Sequence, residues 1–239
     1  MDFTNKVVLI TGASRGIGRQ IAIDFANAGA KVIANYNNSS KQAHELKEKY
    51  KNIDIIKADV SSEHDVEIMI HQIIDKYNHI DILVNNAAIC NDSIIEDKSK
   101  ESFMKILEVN LIGVFLVTKY ASKYMNKNGS IINISSTNGI DTSYIYSLDY
   151  DASKAGVISL NSNLAKAYAP IRVNTIAPGW IDTDMNINLD EEDKKNECNN
   201  IILNRFGTPK EVSNVCLFLA SDKATYINNS VIRVDGGKI

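Results

Sequence analysis

Cysteine is scarce in this sequence and is not spaced for any of its structural uses. The three cysteines, Cys90, Cys198 and Cys216, are an odd number and form no Cys-x-x-Cys pair, so we expect neither a disulfide framework nor a zinc site. None of the four histidines has another histidine four positions away or a cysteine beside it, and a metal site needs several converging ligands. We therefore expect no metal and a reducing environment.

Long apolar runs and an excess of charge of one sign are also absent. No stretch approaches the ~20 apolar residues of a membrane span, and the short apolar segment near Met1 is too short for a signal sequence. The net charge of -3 is no signal for polyanion binding. We expect a cytoplasmic protein whose partners include neither a membrane nor a nucleic acid.

The sequence does contain short apolar, β-branched runs that alternate with longer segments of helical period. The runs predict strands at residues 7–10, 31–34, 53–58, 80–84, 130–134, 172–176 and 230–234. The alternation favours parallel strands, and nearly continuous apolar strands suit a sheet covered on both faces. We predict a single α/β domain over residues 1–239, with a doubly wound, seven-stranded parallel sheet and helices on both faces.

Two segments in the last quarter of the chain carry local signals. Thr208-Pro209-Lys210-Glu211 predicts a helix start, with Thr at the N-cap, Pro at N1 and Glu at N3. Residues 182–204 are rich in Asn, Asp, Glu and Lys. The plain interpretation of this segment is a solvated helix or loop. The functional alternative is a mobile lid over a substrate pocket, because the segment follows a strand end where ligands of such sheets bind.

A glycine-rich turn joins the first predicted strand to the first predicted helix. It reads Thr11-Gly12-Ala13-Ser14-Arg15-Gly16-Ile17-Gly18, and its glycines let the backbone approach a pyrophosphate at the helix N-terminus. Its spacing, Gly-x-x-x-Gly-x-Gly, differs from the common fingerprint. The strand before it and the helix after it indicate a Rossmann-type dinucleotide site rather than a plain tight connection.

The end of the second predicted strand indicates which dinucleotide is bound. It reads Ala34-Asn35-Tyr36-Asn37 and lacks the carboxylate that would accept hydrogen bonds from the ribose hydroxyls and repel a 2′-phosphate. Arg15 in the glycine-rich turn could pair with such a phosphate. We predict that NADP(H) is preferred, with NAD(H) as the alternative.

A candidate catalytic pair lies later in the chain. Tyr150 and Lys154 stand four residues apart on one helix face, where the ammonium favours the phenolate. Ser136 follows an apolar strand and would lie at its carboxyl end, where a hydroxyl can hold a carbonyl oxygen. Asn110 is polar in an apolar helical run and, if buried, needs a hydrogen-bond partner or a function.

These residues resemble the classical short-chain dehydrogenase/reductase family along the whole chain. The shared motifs are Thr11-Gly12-x3-Gly16-x-Gly18, Asn85-Asn86-Ala87, Asn110, Ser136, Tyr150-x3-Lys154 and Pro178-Gly179. The resemblance implies that Tyr150 is the general acid in reduction and that Lys154 binds the nicotinamide ribose and lowers the pKa of the tyrosine. It also implies that Ser136 orients the substrate carbonyl and that Asn110 holds a proton-relay water.

The resemblance extends to cofactor binding and assembly. It implies that Asp59 and Val60 contact adenine, Asn86 the adenosine side, and residues 178–183 the nicotinamide end. It further implies a homotetramer built on the helices around Asn110 and Tyr150. The expected cofactor-binding residues are Gly12, Ser14, Arg15, Gly16, Ile17, Gly18, Asn35, Asn37, Asp59, Val60, Asn86, Ala87, Ala88, Tyr150, Lys154, Pro178, Gly179, Ile181 and Thr183.

Two departures from the family pattern concern the site. Ala88 stands where the family has glycine, which adds a methyl group beside the cofactor and is expected to be tolerated. One more residue separates Ser136 from Tyr150 than in similar members. The loop 137–149 shapes the substrate entrance, so the family resemblance indicates the substrate less well than it indicates the cofactor chemistry.

Within the family the sequence is similar to 3-oxoacyl-acyl-carrier-protein reductases, in residues 32–37, 181–185 and 234–237. Those enzymes dock an acidic carrier protein through basic residues. Here the loop 169–171 is shorter and lacks one docking arginine, and the other basic position falls near Lys127.

Three hypotheses about the function remain open. The chain is a reductase of 3-oxoacyl thioesters, or a dehydrogenase of another small ketone, alcohol or sugar, or a cofactor-binding protein without turnover. Trp180, Tyr144 and Tyr146 either line a substrate pocket or are plain packing residues. Cys90 has no nearby histidine in sequence, so we expect a small apolar residue rather than a nucleophile.

Overall fold

The computed structural model describes residues 1–186 and 189–237, apart from the side chain of Met185, and contains one parallel sheet between two layers of helices. The strands run in the order β3-β2-β1-β4-β5-β6-β7, and every neighbouring pair is parallel. The predicted doubly wound, seven-stranded sheet is therefore confirmed. The strands are β1 Val7–Ile10, β2 Lys31–Tyr36, β3 Ile53–Lys57, β4 Ile80–Asn85, β5 Met125–Ile134, β6 Arg172–Pro178 and β7 Val231–Val234.

The helices connect successive strands and cover both faces of the sheet. They are α1 Gly16–Asn27, α2 Ser40–Lys49, α3 Glu63–Tyr77, α4 Lys100–Leu107, α5 Gly113–Ala121, α6 Leu148–Ala167, α7 Glu191–Asn199 and α8 Pro209–Ala220. A π-helical turn, Glu108–Ile112, joins α4 to α5. In the part of the chain that the structure describes, no helix has the length and apolar character needed to cross a membrane.

Alternate residues of each central strand enter two separate cores. Val8 and Ile10 of β1 pack with α1 and α8, whereas Val7 and Leu9 pack with α3, α5 and α6. All four side chains are buried, and full burial of an aliphatic side chain stabilises a fold by about 1.5–3 kcal/mol. Burial on both faces is the physical reason why these strands are continuously apolar.

Strand β5 begins five residues earlier than its apolar pattern predicts. Residues 125–128 are polar or partly exposed, and Met125 pairs with Ile80 before an irregularity brings Ser130 into register with Ile82. Hydropathy detects only the buried half of this strand, because the first half gains backbone pairing without burial.

Helix α8 begins as the sequence predicts. Thr208 and Glu211 form a capping box in which each side chain accepts a hydrogen bond from the other residue's backbone N–H. The helix is then fastened to α1 through buried Asp24, which accepts from Lys210 Nζ and from Ser213 Oγ at 2.6 Å each.

Candidate active site

The glycine-rich turn lies between the end of β1 and the start of α1, at the carboxyl edge of the sheet. Gly12 and Gly16 have φ of 62° and 55°, a left-handed conformation that disfavours any side chain. A Cβ on Gly12 would approach the Cα of Ala87 to 2.7 Å, and one on Gly16 would lie 3.7 Å from Thr183 Cγ2. The turn thus forms a cradle whose glycine positions present backbone rather than side chains, as close approach of a pyrophosphate requires.

Asn86 supports this turn from the end of β4. Its side-chain amide donates to the carbonyl oxygens of Thr11 and Gly12 at 3.0 Å each. The Thr11 hydroxyl in return accepts from the backbone N–H groups of Asn86 and Ala87. The sequence associated Asn86 with the adenosine side, and in the structure its amide hydrogens hold the shape of the cradle.

Asn35 has a similar supporting position at the end of β2. It is buried, accepts from the backbone N–H of Gly12 at 3.3 Å and donates to the carbonyl oxygen of Ala58 at 3.1 Å. Its side chain therefore joins β2, β3 and the turn, and it lies behind the cradle rather than on the exposed surface.

The adenosine end is more open at Asn37, Asp59 and Arg15. Burial alone would raise the pKa of Asp59, but hydrogen bonds from Ser61 and Asn37, together with the charge of Lys105, hold this pKa below its ordinary value. Arg15 is exposed at the N-cap of α1. The carboxylate of this region is therefore that of Asp59, which follows β3 and whose oxygens accept hydrogen bonds. No carboxylate lies at the end of β2.

Tyr150, Lys154 and Ser136 meet at the carboxyl edge of β5. Lys154 is buried, donates from Nζ to the carbonyl oxygen of Ile134 at 2.8 Å, and lies 5.4 Å from the centroid of the Tyr150 ring. Ser136 Oγ accepts from the backbone N–H of Asn138 at 3.2 Å, and its hydroxyl lies near enough to the Tyr150 phenol to lower the pKa of that phenol. The structure thus brings together the three residues that the sequence proposed for proton transfer and carbonyl orientation.

Burial shifts the pKa values of this pair in opposite directions. It raises the pKa of Tyr150, an effect that the nearby Cys90 and Asp151 increase and the Ser136 hydroxyl opposes. It lowers the pKa of Lys154 from 10.5 to about 8. At neutral pH the phenol is protonated and most of the lysine is charged, which is the state an acid in carbonyl reduction needs.

Asn110 lies at 0% exposure in the π-helical turn between α4 and α5. Its side-chain oxygen accepts from Ile89 N at 2.8 Å, and its amide donates to Ile89 O and to Ser153 Oγ. A π-turn in a helix often marks a functional position because it turns a side chain away from the regular ladder. Here it lets Asn110 join the loop after β4 to α6.

The predicted nicotinamide end follows β6. Gly179 donates to Val234 O at 3.1 Å, and Ile181 forms a short parallel bridge with Gly207. Thr183 reaches the glycine-rich turn at Gly16. Residues 178–183 therefore border the same crevice as the cradle and Tyr150.

An aromatic cluster stands beside this crevice. Trp180 stacks on Phe206 with centroids 5.4 Å apart, and Tyr144 meets Trp180 edge to face at 5.9 Å and Tyr146 at 5.2 Å. Trp180 Nε1 also donates to Glu197 of α7 at 2.7 Å. Sequence reasoning missed Phe206 and Glu197, because only the fold brings residues from four segments together.

The segment 182–204, for which a lid was the functional alternative, contains a short 3-10 turn and the exposed helix α7. Residues 187 and 188 lie outside the described part of the chain. Besides the Trp180–Glu197 hydrogen bond, Lys194 lies 5.5 Å from the centroid of the Phe206 ring. This segment therefore packs against the aromatic cluster through α7.

Cys90 and Lys127 lie in surroundings that the sequence did not indicate. Cys90 donates from its thiol to Asp92 at 3.0 Å, and burial with this carboxylate raises the pKa of the thiol, which disfavours a nucleophilic thiolate. Lys127 is exposed near the start of β5, on the sheet edge opposite Ser136. Within this chain Lys127 is therefore remote from the mouth of the crevice.

Known proteins carry the same fold and match along almost the whole chain. A family model described as enoyl-(acyl carrier protein) reductase matches residues 12–238. The chain is a member of the short-chain dehydrogenase/reductase family, whose members are NAD(P)-dependent oxidoreductases acting on carbonyl and hydroxyl groups.

Three relatives show what this chain is similar to. It is 41% identical to a 3-oxoacyl-[acyl-carrier-protein] reductase of Thermotoga maritima, over the full length of both chains. A short-chain dehydrogenase of Burkholderia cenocepacia in complex with NADP superposes with a TM-score of 0.95 at 27% identity, covering 99% of each chain. An aldohexose dehydrogenase of Thermoplasma acidophilum is 35% identical with a TM-score of 0.89, covering 98% of this chain and 94% of the other.

Proposed function

We propose that this protein reduces the keto group of 3-oxoacyl thioesters with NADPH. The observation that carries the proposal is the placement of Ser136, Tyr150 and Lys154 at the crevice beside a glycine cradle. The full-length similarity to a 3-oxoacyl-[acyl-carrier-protein] reductase supports the substrate class.

The residues of the cradle fit a dinucleotide. Gly12 and Gly16 have positive φ, and a Cβ on Gly12 would meet the Cα of Ala87 at 2.7 Å, so the turn keeps its shape only with glycine at that position. The N-terminus of α1 offers N–H groups and a favourable dipole to a pyrophosphate. When bound there, the cofactor supplies the hydride. Residues 178–183 would hold the nicotinamide end, and Asn37, Asp59 and Val60 would border the adenosine end.

The protein's own residues supply orientation and one proton. Ser136 holds the substrate carbonyl oxygen by a hydrogen bond, and Tyr150 donates its phenolic proton to that oxygen as the hydride is added. The charge of Lys154 stabilises the resulting phenolate. Asn110 keeps the loop after β4 and the first turns of α6 in place, through Ile89 and Ser153.

NADPH is the proposed cofactor in preference to NADH. Strand β2 ends without a carboxylate that would repel a 2′-phosphate, and exposed Arg15 stands at the start of α1. An arginine pairs well with a phosphate through two parallel hydrogen bonds. Asp59 lies one strand further away and has its own hydrogen-bond donors.

Exposed apolar side chains near the crevice favour an apolar acyl group. Ile94, Ile95 and Ile145 are exposed, and their loops are joined by a hydrogen bond from Ser93 N to Tyr146 O. Large apolar side chains at a site mouth usually mark a surface that a ligand covers. This arrangement suits the chain of a thioester better than a polyhydroxylated sugar.

The second candidate is a dehydrogenase of a sugar or another small alcohol. The similarity to an aldohexose dehydrogenase and the polar tips of Tyr144, Tyr146 and Trp180 favour it. The same catalytic residues would act in reverse, with Tyr150 accepting the hydroxyl proton.

The wider organisation is proposed on the same basis. We propose a single domain with residues 182–204 as a lid, because α7 packs against the aromatic cluster through Glu197 and Lys194. We further propose a cytoplasmic homotetramer. Ile112, at the end of the π-helical turn, and Phe115 on α5 are exposed apolar residues that support a subunit interface there.

The test measures NADPH oxidation with acetoacetyl thioester as substrate, with NADH in parallel. Crotonyl thioester tests for an enoyl reductase, and glucose with NADP+ tests for a sugar dehydrogenase. Tyr150→Phe should lose more than about a hundredfold in kcat while binding NADPH normally. Tyr226→Phe, at a fully exposed tyrosine, is the matched control. Turnover of glucose or crotonyl thioester but not of acetoacetyl thioester would refute the proposed function.

A further inference from the structure

A buried ion pair lies directly beside Tyr150 and has no part in the proposed proton transfer itself. Lys98 Nζ and Asp149 Oδ1 are 2.9 Å apart, and their side chains are 3% and 0% exposed. Burial of two charges costs free energy that their attraction recovers only when the surrounding geometry is good. Such a pair therefore needs well-placed partners, and its contacts identify the segments that it joins.

The pair joins three segments around the candidate active site. Lys98 Nζ also donates to the carbonyl oxygen of Asn91, in the loop after β4, at 2.9 Å. Asp149 Oδ1 also accepts from the backbone N–H of Tyr150 at 2.9 Å. The loop that carries Cys90 and Asp92, the segment before α4 and the first turn of α6 are thus linked at two side chains.

A neutral chain of hydrogen bonds holds the other end of the same residue. Ser153 Oγ donates to Tyr150 O at 2.6 Å, and Asn110 Nδ2 donates to Ser153 Oγ at 3.1 Å. The backbone of Tyr150 is therefore held on both sides, by a charged link at its N–H and by an uncharged link at its carbonyl.

We propose that Lys98 and Asp149 are positioning residues for proton transfer, fixing Tyr150 and the loop after β4 relative to each other. The proposal rests on the proposed function of Tyr150. Displacement of a reacting group by about 1 Å can cost a hundredfold in rate. Neither residue touches the reacting atoms, so both act through the tyrosine.

The charge of the pair is balanced internally. Among the described residues, the second carboxylate oxygen of Asp149 has no hydrogen-bond partner, so Lys98 is the only side chain that neutralises it. The charged or titratable groups that bear on Tyr150 and Lys154 are Cys90 and Asp92 from the loop after β4, and Asp151 on α6. Removing one member of the pair would add an uncompensated charge to this set.

The test compares Lys98→Met, Asp149→Asn and the double variant in the NADPH-dependent reduction of acetoacetyl thioester. Each single variant should lower kcat about 10- to 100-fold with NADPH affinity unchanged. We expect kcat/KM to fall at alkaline pH as Lys154 loses its proton. This alkaline limb should move up by about 0.5–1 pH unit in Lys98→Met, which leaves the negative charge of Asp149, and down by as much in Asp149→Asn, which leaves the positive charge of Lys98. The double variant should restore the wild-type limb.

Lys210→Met is the matched control, because Lys210 forms an ion pair with the mostly buried Asp24 far from Tyr150. It should lower stability and leave both kcat and the pH profile unchanged. If a single variant folds poorly, the double variant decides through kcat, since removing both buried charges leaves none unpaired. It should keep a lowered kcat per folded molecule, and a wild-type kcat in the double variant would overturn the proposal.

Two results would overturn the proposal. Either the single variants keep the wild-type kcat and pH profile per folded molecule, or both shift the alkaline limb in the same direction. Failure of the proposed function is recognised separately, because the wild-type protein would then not oxidise NADPH with this substrate at all.

Discussion

The burial of Lys154 predicts how carbonyl reduction depends on pH. Burial lowers the pKa of its ammonium group from 10.5 to about 8, which corresponds to roughly 3 kcal/mol against the charged form. The pKa of Tyr150 is raised instead, so the lysine is the first of the two to lose its proton as pH rises. Between pH 7 and pH 9 the charged fraction of Lys154 falls from about 0.9 to about 0.1.

We therefore expect kcat/KM for reduction to fall about tenfold between pH 7 and pH 9, because kcat/KM reports the ionisation of the free enzyme. The assay follows NADPH oxidation with acetoacetyl thioester from pH 6 to 9.5, corrected for thioester hydrolysis. Lys154→Arg is the control. A guanidinium stays charged throughout this range, so the residual activity of this variant should show no limb near pH 8.

Unfolding does not explain the expected loss. A lysine whose folded-state pKa lies below its unfolded-state value binds fewer protons when folded, so its contribution to the free energy of unfolding rises between about pH 8 and 10.5. A kcat/KM that stays level to pH 9.5, or a limb near pH 8 that persists in Lys154→Arg, would refute this reasoning.

Two further substitutions test other parts of the molecule. Arg15→Ala should weaken NADPH binding about tenfold or more, since a hydrogen bond to a charged group contributes about 1.5–3 kcal/mol. NADH binding should stay the same, because NADH has no 2′-phosphate. Equal losses for both cofactors in fluorescence titrations would contradict the pairing of Arg15 with the 2′-phosphate. Thr208→Ala should lower the free energy of unfolding by about 1 kcal/mol, because the capping box with Glu211 is lost. Urea denaturation measures this change, and an unaltered midpoint would contradict it.

The candidate active site rests on a layer of asparagines that do not face the crevice directly. Asn35 and Asn86 hold the glycine-rich turn, and Asn110 holds the loop after β4 against α6. The amides of Asn35 and Asn110 both donate and accept, so each of these side chains links two segments at once, whereas Asn86 donates to two carbonyl oxygens of the turn. Aspartate at these positions would lose the donors and add a buried charge.

Much of the fold follows from local patterns. Strands such as β1 and β4 are buried on both faces, so nearly every residue needs an apolar side chain and the strand is visible as an almost uninterrupted run. The capping box of α8 depends on residues three positions apart. The first half of β5 was not predicted, because residues 125–128 are exposed or partly exposed and Met125 is the one apolar side chain among them.

The candidate site was partly predictable because some of its features are also local in the sequence. The spacing of Tyr150 and Lys154 is set within one helix, and the glycine-rich turn is continuous in sequence, so both are recognisable from the amino-acid pattern. The glycine-rich turn, Ser136 and the Tyr150–Lys154 pair follow one another along the chain in that order, which indicated one crevice at the carboxyl edge of the sheet.

The tertiary structure alone decided the surroundings of these residues. Lys98 and Asp149 lie 51 positions apart, Trp180 and Phe206 come from separate segments, and the lowered pKa of Lys154 arises from burial. Ion pairing, ring stacking and desolvation depend on distances through space, which no local pattern records. The sequence by itself determined the sheet, the turn and the reacting groups, and the packing of the loops around them decided their protonation and position.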